Sequence, residues 1–385
     1  MSNQEIAKMI KPSMCLFLLG AGIAVSFGQW TAQLFTTPGF DGCRIQGITN
    51  NSATGTAISI LPNGDFVAHA TIWNRDGSVR TDLHPAGATS SAVWGGFGTD
   101  QVGSVGNGTQ QDAALWHGTA ESLINLGKAG WVTTATSASA FGQVGYGSST
   151  LETDDAPHAI YWQGTADSFV DLNPTGAFLS YATAVGSGYQ AGWATGEFGQ
   201  ASEHTFLWHG TAESATVMDP AGSGNARIRA GSEFRQVGGA SYSDGWHAVV
   251  WSGSAESAID LNPNGYSFSD AHAISESGEF VGGNTMVGND RQHAFLWNLT
   301  TSETFDLQNY VGDIPFTVIS SEVTGVADNG DAIGFVVDQN DEGHYVRWTH
   351  VVPEPSSFFA LGVGLIAVLR PRITRKKRKC RTIEE

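Results

Sequence analysis

Lysine is almost missing from the interior of this chain: between positions 29 and 352, Lys128 stands alone. That stretch holds 9 Lys+Arg against 33 Asp+Glu, a net of −24; the flanks hold the other 10 basic and 4 acidic residues, a net of +6, giving −18 for the 385 residues. A surface of that sign repels phosphate backbones, which argues against nucleic acid as a partner. It fits a solvated acidic shell, high-salt solubility or cations held at the surface. Cysteine is equally scarce. Cys15 and Cys380 lie in the flanks and only Cys43 in the interior, so no disulfide can form there and stability must come from core burial. Catalytic signatures are also missing. There is no Gly-x-Ser-x-Gly elbow, no His-Glu-x-x-His and no phosphate loop ending in Gly-Lys-Ser/Thr. Among 33 acids some pairs fall together by chance, so no glycosidase dyad can be named.

What is present is a period. Short apolar runs end in Trp73, Trp116, Trp162, Trp208, Trp251, Trp297 and Trp348, spaced 43, 46, 46, 43, 46 and 51 residues apart. Self-similarity at this interval marks a repeat architecture. The 49 glycines, without a Gly-X-Y period, indicate many turns. Residues 182–220 divide into four short β-prone runs separated by Gly, Ser and Asn, the make-up of one propeller blade. Asp82-Leu83, Asn125-Leu126, Asp171-Leu172, Asp260-Leu261 and Asp306-Leu307 each begin nine residues after their tryptophan, which makes the last hairpin the rigid part of the unit.

The third run, clearest in His293-Ala294-Phe295-Leu296-Trp297, resembles the HAF repeat. Its near-continuous apolarity predicts a strand buried on both faces, with His293, Phe295 and Trp297 toward one neighbouring sheet and Ala294 and Leu296 toward the other. The seventh unit stops at Trp348 without a fourth run, while residues 29–37 form a spare strand-like segment ahead of the first unit. Pairing the two closes a ring of seven four-stranded blades and removes exposed sheet edges. An open solenoid or two β-sandwiches are the alternatives. Residues 44–55 fit the unit poorly and read as an insertion.

Both ends read as addresses. Lys8 and Lys11 precede an apolar stretch over residues 14–27, and Ser26 and Gly28 supply the small residues of a cleavage site, so residues 1–28 read as a signal peptide. The stretch is short for a membrane anchor. Cys15 follows Met14, without the small residue expected before a lipid-modified cysteine. At the other end, Pro353-Glu354-Pro355 is followed by an apolar run over residues 358–369 and by Arg370, Arg372, Arg375, Lys376, Lys377, Arg378 and Lys379. This order resembles the PEP-CTERM sorting signal of exopolysaccharide-associated bacterial proteins. The resemblance implies a membrane transpeptidase-like sorting enzyme as partner, cutting near the Pro-Glu-Pro motif and releasing the body to the cell surface. Basic residues after an apolar run also halt transfer with the basic side inside. The run is shorter than a comfortable span, and Arg370-Pro371 interrupts its extension. The expected organisation is a signal peptide at 1–28, a body at 29–350 and a sorting signal at 351–385, which touches the membrane only before processing.

Candidate chemistry within the body is thin. Histidine stands four residues before the tryptophan in six units (His69, His158, His204, His247, His293 and His344), with Asp112 in the remaining one. A residue repeated around a ring reads as a shared inter-strand hydrogen bond, since ligands to one zinc must converge within about 2 Å of it. Asp338-Gln339-Asn340-Asp341-Glu342-Gly343 matches the start of a calcium loop, but Glu342 and Thr349 depart from it; it reads as a polar loop, with surface Ca2+ the alternative. Trp30, Trp94, Trp131, Trp193 and Trp246 lie outside the repeat and read as core, or as stacking surfaces for sugars. The expectation is a secreted all-β, seven-bladed propeller without catalytic residues, metal or cofactor, acting as a structural or binding module with exopolysaccharide a possible partner. A surface lectin and an extracellular hydrolase with acids at the propeller mouth are its rivals. Convergent, non-repeated carboxylates with raised pKa values would favour the hydrolase.

Overall fold

A computed structural model describes residues 29–351 apart from 109, 151–155, 199–201 and 289–290. Residues 1–28, expected to be a signal peptide, and the Pro-Glu-Pro motif, apolar run and basic tail of residues 352–385 lie outside the described residues. Trp30–Val351 form one compact unit. It is a seven-bladed β-propeller of four-stranded antiparallel sheets. In blade 1 the strands run Gly42–Ile48, Ser52–Ile60, Phe66–Asn74 and Val79–Asp82, from the axis outward. No helix among the described residues is long and apolar enough to cross a membrane.

The repeat follows from packing between blades. Trp73, Trp116, Trp162, Trp208, Trp251 and Trp348 are fully buried and Trp297 is 2% exposed. Phe295 and Trp297 pack with Val237, Ala248 and Val250 of blade 5, whereas Ala294 and Leu296 pack with Val323 and Trp348 of blade 7. The period-two reading of that strand therefore holds. The Asp-Leu step ends the fourth strand: Leu83, Leu126, Leu172 and Leu307 are fully buried. The carbonyls of Leu261 and Leu307 accept the indole N–H groups of Trp297 and Trp348 in the following blades, at 2.9 and 3.0 Å.

A second repeated contact crosses five of the seven interfaces. Ser91 Oγ accepts the N–H of Ala70, and Thr133, Ser180, Ser269 and Ser321 do the same for Ala113, Ala159, Ala248 and Ala294, at 2.8–2.9 Å. Each ties the first strand of one blade to the third strand of the blade before it. These buried hydroxyls are satisfied, as burial of polar groups requires.

Blade 7 comprises Val318–Val326, Ala332–Asp338 and Gly343–Val351, with the N-terminal strand Gln29–Leu34 as its fourth. The spare segment thus closes the ring, and Phe35 extends the link by donating its N–H to the Tyr345 carbonyl at 2.8 Å. One expectation is corrected. Residues 44–55 are no insertion but parts of the first two strands of blade 1, paired from Gly42↔Ile58 to Ile48↔Ala53. Their pattern hid them because Arg44 and Gln46 alternate with buried Ile45.

Candidate functional site at the propeller axis

The first strand of every blade carries an unpaired residue at one shared level, and those of blades 4 and 7 skip a second, Phe178 and Ile319. The register skips Gln46, Trp94, Thr136, Thr183, Arg229, His272 and Thr324 in blades 1 to 7. Such a bulge adds a residue to one strand, increases the local twist and re-aims the side chain. Opposite each bulge the second strand has a glycine: Gly55, Gly103, Gly145, Gly192, Gly238, Gly283 or Gly334. A Cβ there would stand 1.8–2.0 Å from a first-strand carbonyl oxygen, so only glycine fits. The scaffold is thus repeated, while the residue it delivers differs from blade to blade. All seven bulge residues line one central cavity of about 350 Å³.

Three of the seven serve the scaffold: Thr324 Oγ1 donates to the Ile333 carbonyl of its own blade at 3.4 Å, and two threonines link neighbouring blades. Thr136 Oγ1 donates to the Ala182 carbonyl at 3.0 Å and Thr183 Oγ1 to the Ile228 carbonyl at 2.8 Å, each stapling its blade to the next. Gln46, Trp94, Arg229 and His272 supply unlike chemistry to the same space. Arg229 forms a two-point ion pair with Asp270, Nε to Oδ1 at 3.1 Å and Nη2 to Oδ2 at 2.6 Å. His272 Nε2 lies 3.3 Å from Asp270 Oδ2, and its Nδ1 lies 3.9 Å from Glu322 Oε2. Burial alone would push the Asp270 carboxyl up. The His272 hydrogen bond and the Arg229 charge together hold it below the usual carboxylate range.

A second group sits two residues before the bulges. Arg227 binds Glu203 through Nε at 2.6 Å and through Nη2. Its guanidinium carbon lies 4.4 Å from the Trp193 ring centroid. Trp193 stacks on Tyr181 at 4.7 Å, and Tyr181 meets Tyr146 edge-on at 4.9 Å. The Glu203 hydrogen bond raises the Arg227 pKa, so this cation is permanent. Across the ring, the Arg44 guanidinium carbon lies 5.4 Å from the Trp94 ring.

The repeated histidines do not converge. His69, His158, His204, His247 and His293 each place Nδ1 2.5–2.9 Å from an aspartate at or just beyond the fourth strand of the same blade. In blade 2, Asn125 donates to Asp112 at 2.9 Å in the equivalent place. In blade 7, His344 instead faces Asp338, and the ligating atoms of Asp338, Glu342 and His344 lie within 4.8 Å of one another. There Asp338 Oδ1 already accepts the N–H groups of Asn340 and Glu342, at 2.7 and 3.0 Å, and fixes the loop. Of the five non-repeat tryptophans, Trp30 is core, Trp131 packs on Phe169, Trp94 lines the axial cavity, and Trp193 lies between Arg227 and Tyr181. Trp246 sits against Gly239, where a Cβ would meet its Nε1 at 2.1 Å.

The sequence did carry a signal for the bulges. Each bulge residue stands nine to eleven places before a second-strand glycine; the glycine is fixed in all seven blades, while the bulge residue varies.

The PEP-CTERM protein-sorting motif matches residues 351–373. No curated protein sequence matches the chain. Among solved structures, an oligogalacturonate lyase in complex with manganese superposes with a TM-score of 0.51 at 10% identity, over 85% of this chain and 98% of that one. TolB from Acinetobacter baumannii gives 0.37 at 8% identity, over 77% and 79%. A post-proline cleaving enzyme from Rickettsia typhi gives 0.39 at 8% identity, over 79% and 50%. At such identities the likeness to the lyase is one of fold.

Proposed function

We propose that this protein is an exported propeller, sorted to the cell surface or the exopolysaccharide matrix, that works as a non-enzymatic binding module through its axial channel. The motif at residues 351–373 implies export, surface sorting and a sorting enzyme as processing partner. Cleavage of residues 1–28 and transient anchoring by residues 358–369 complete this route, and the HAF-type reading of the repeat belongs to the same proposal. The observation that carries the function is the set of seven bulges. Identical scaffolding brings Gln46, Trp94, Arg229 and His272 to one cavity, and a structural ring alone has no need of four unlike groups there. The volume lies at the lower end of the range for ligand sites.

Hydrolysis is the weaker reading. A general acid must stay protonated near neutral pH, which burial or a like charge achieves. Asp270 is pulled the other way by Arg229 and His272, as suits a fixed acceptor. Affinity electrophoresis in gels cast with the host's extracellular polysaccharide checks the proposal. The secreted protein is retarded, and Trp94→Ala with an unchanged unfolding midpoint migrates freely. If that variant is retarded like the parent, the axial site is not the one that binds.

A further inference from the structure

We infer that the ligand of the axial channel is a saccharide bearing a carboxylate, with Trp94 as the surface for its ring and Arg44 as the group that selects the acidic unit. This rests on the channel being the binding site. Three arginines stand on first strands at the axis. Arg227 is engaged by Glu203 and Arg229 by Asp270. Arg44 is exposed and has no carboxylate within ion-pair distance among the described residues. In a body with 33 acidic residues, a cation left unpaired beside the channel is open to a ligand.

Its setting narrows the ligand class. Trp94, half-buried, is a bulge residue lining the cavity, and Arg44 lies alongside its ring. An aromatic face takes the C–H face of a pyranose, and a guanidinium takes a carboxylate through two parallel N–H bonds. Gln46 on the neighbouring blade and His272 on blade 6 line the same cavity with groups that exchange hydrogen bonds with hydroxyls. A densely charged polyanion is opposed by the net charge of −24 over residues 29–352. A sugar chain carries at most about one carboxylate per unit and presents hydroxyls elsewhere, so it meets both conditions.

The test is calorimetric titration of the secreted protein with a panel of uronate-containing tetrasaccharides, each paired with its carboxyl-reduced neutral form. The acidic member of a bound pair is expected to bind about tenfold or more tightly than its neutral partner, the worth of one charge-assisted hydrogen bond. Arg44→Gln should bring the acidic form down to the neutral level, Arg44→Lys should restore part of the difference, and Trp94→Ala should lose both forms. Raising the salt concentration should shrink the ratio, because Arg44 is exposed. Equal affinity for both forms, still lost in Trp94→Ala, overturns the acidic class and leaves the channel standing. Binding that ignores Trp94→Ala overturns both, and a panel with no bound member overturns the inference.

Discussion

The seven tryptophans occupy one position in the repeat, yet their indole nitrogens are treated differently. Trp297 donates to the Leu261 carbonyl at 2.9 Å, whereas Trp208 Nε1 is buried with no partner among the described residues. Trp297→Phe removes a made hydrogen bond and strands a carbonyl; Trp208→Phe removes a donor that was already unsatisfied. Both lose similar apolar area, so Trp297→Phe should cost about 1 kcal/mol more in urea unfolding. Equal costs would show that the indole hydrogen bond adds nothing net. Asp270 gives a second, pH-dependent contrast. Its folded-state pKa is depressed below the unfolded value of about 3.9, so its contribution is present above that pH and is lost as pH falls through the depressed value. Asp270→Asn should cost about 1–3 kcal/mol near neutrality, moderated because the Arg229 side chain is 35% exposed. The stability gap between the two proteins should close progressively below about pH 4. A gap that is constant down to about pH 2 would mean that the folded-state pKa of Asp270 is not depressed.

At the level of the element, one buried side chain decides how a blade turns. In blades 2 to 5 the third and fourth strands are joined by short 3-10 turns, Ala120–Ser122, Ala166–Ser168, Ala212–Ser214 and Ala255–Ser257. Gln101, Gln143, Gln190 and Gln236 accept the N–H of Gly118, Gly164, Gly210 and Gly253 at 2.7–3.0 Å. Blades 1, 6 and 7 have Ala53, Val281 and Ala332 opposite the tryptophan instead of glutamine, and none of the three contains this turn. Gln190→Leu should therefore expose the Gly210 amide to faster hydrogen exchange and cost about 1–3 kcal/mol, the penalty of a stranded buried donor. Unchanged exchange at Gly210 would assign the turn to Ser214 alone, whose Oγ accepts the His209 N–H at 2.8 Å. The tryptophan period and the Asp-Leu offset made the third and fourth strands legible in the sequence, because both report continuous burial. The first strands were harder to see. A bulge breaks period two, and the residues it re-aims, such as Gln46 and His272, look like ordinary polar surface. The axial site was correspondingly hidden, since its members lie 42 to 52 residues apart and, three threonines aside, share no residue type.

Across the whole molecule, stability depends on a ring whose last blade is built from both ends of the body. Blade 7 takes its outer strand from Gln29–Leu34, and Trp30 packs into the cluster that holds Trp348 and Leu307. The junction with blade 1 is reinforced by a buried ionic contact: Asp331 receives Arg347 at 2.7 Å and Arg75 of blade 1 at 3.0 Å. Cys43 stands where five other first strands carry the interface serine or threonine, and burial pushes its thiol pKa up, so it serves there as packing. This closure joins strands distant in sequence, so its loop entropy is recovered only when the ring is complete. A chain beginning at Gly39 loses the outer strand, exposing the edge of Gly343–Val351 as a template for another chain. It should unfold at lower denaturant and elute as oligomers in size-exclusion chromatography, whereas a chain ending at His350 should remain a monomer of near-parental stability. An equally stable monomer without residues 29–38 would show that three strands suffice for blade 7, and that the ring is held shut by the Asp331 contact and the packing of blade 7 on blade 1.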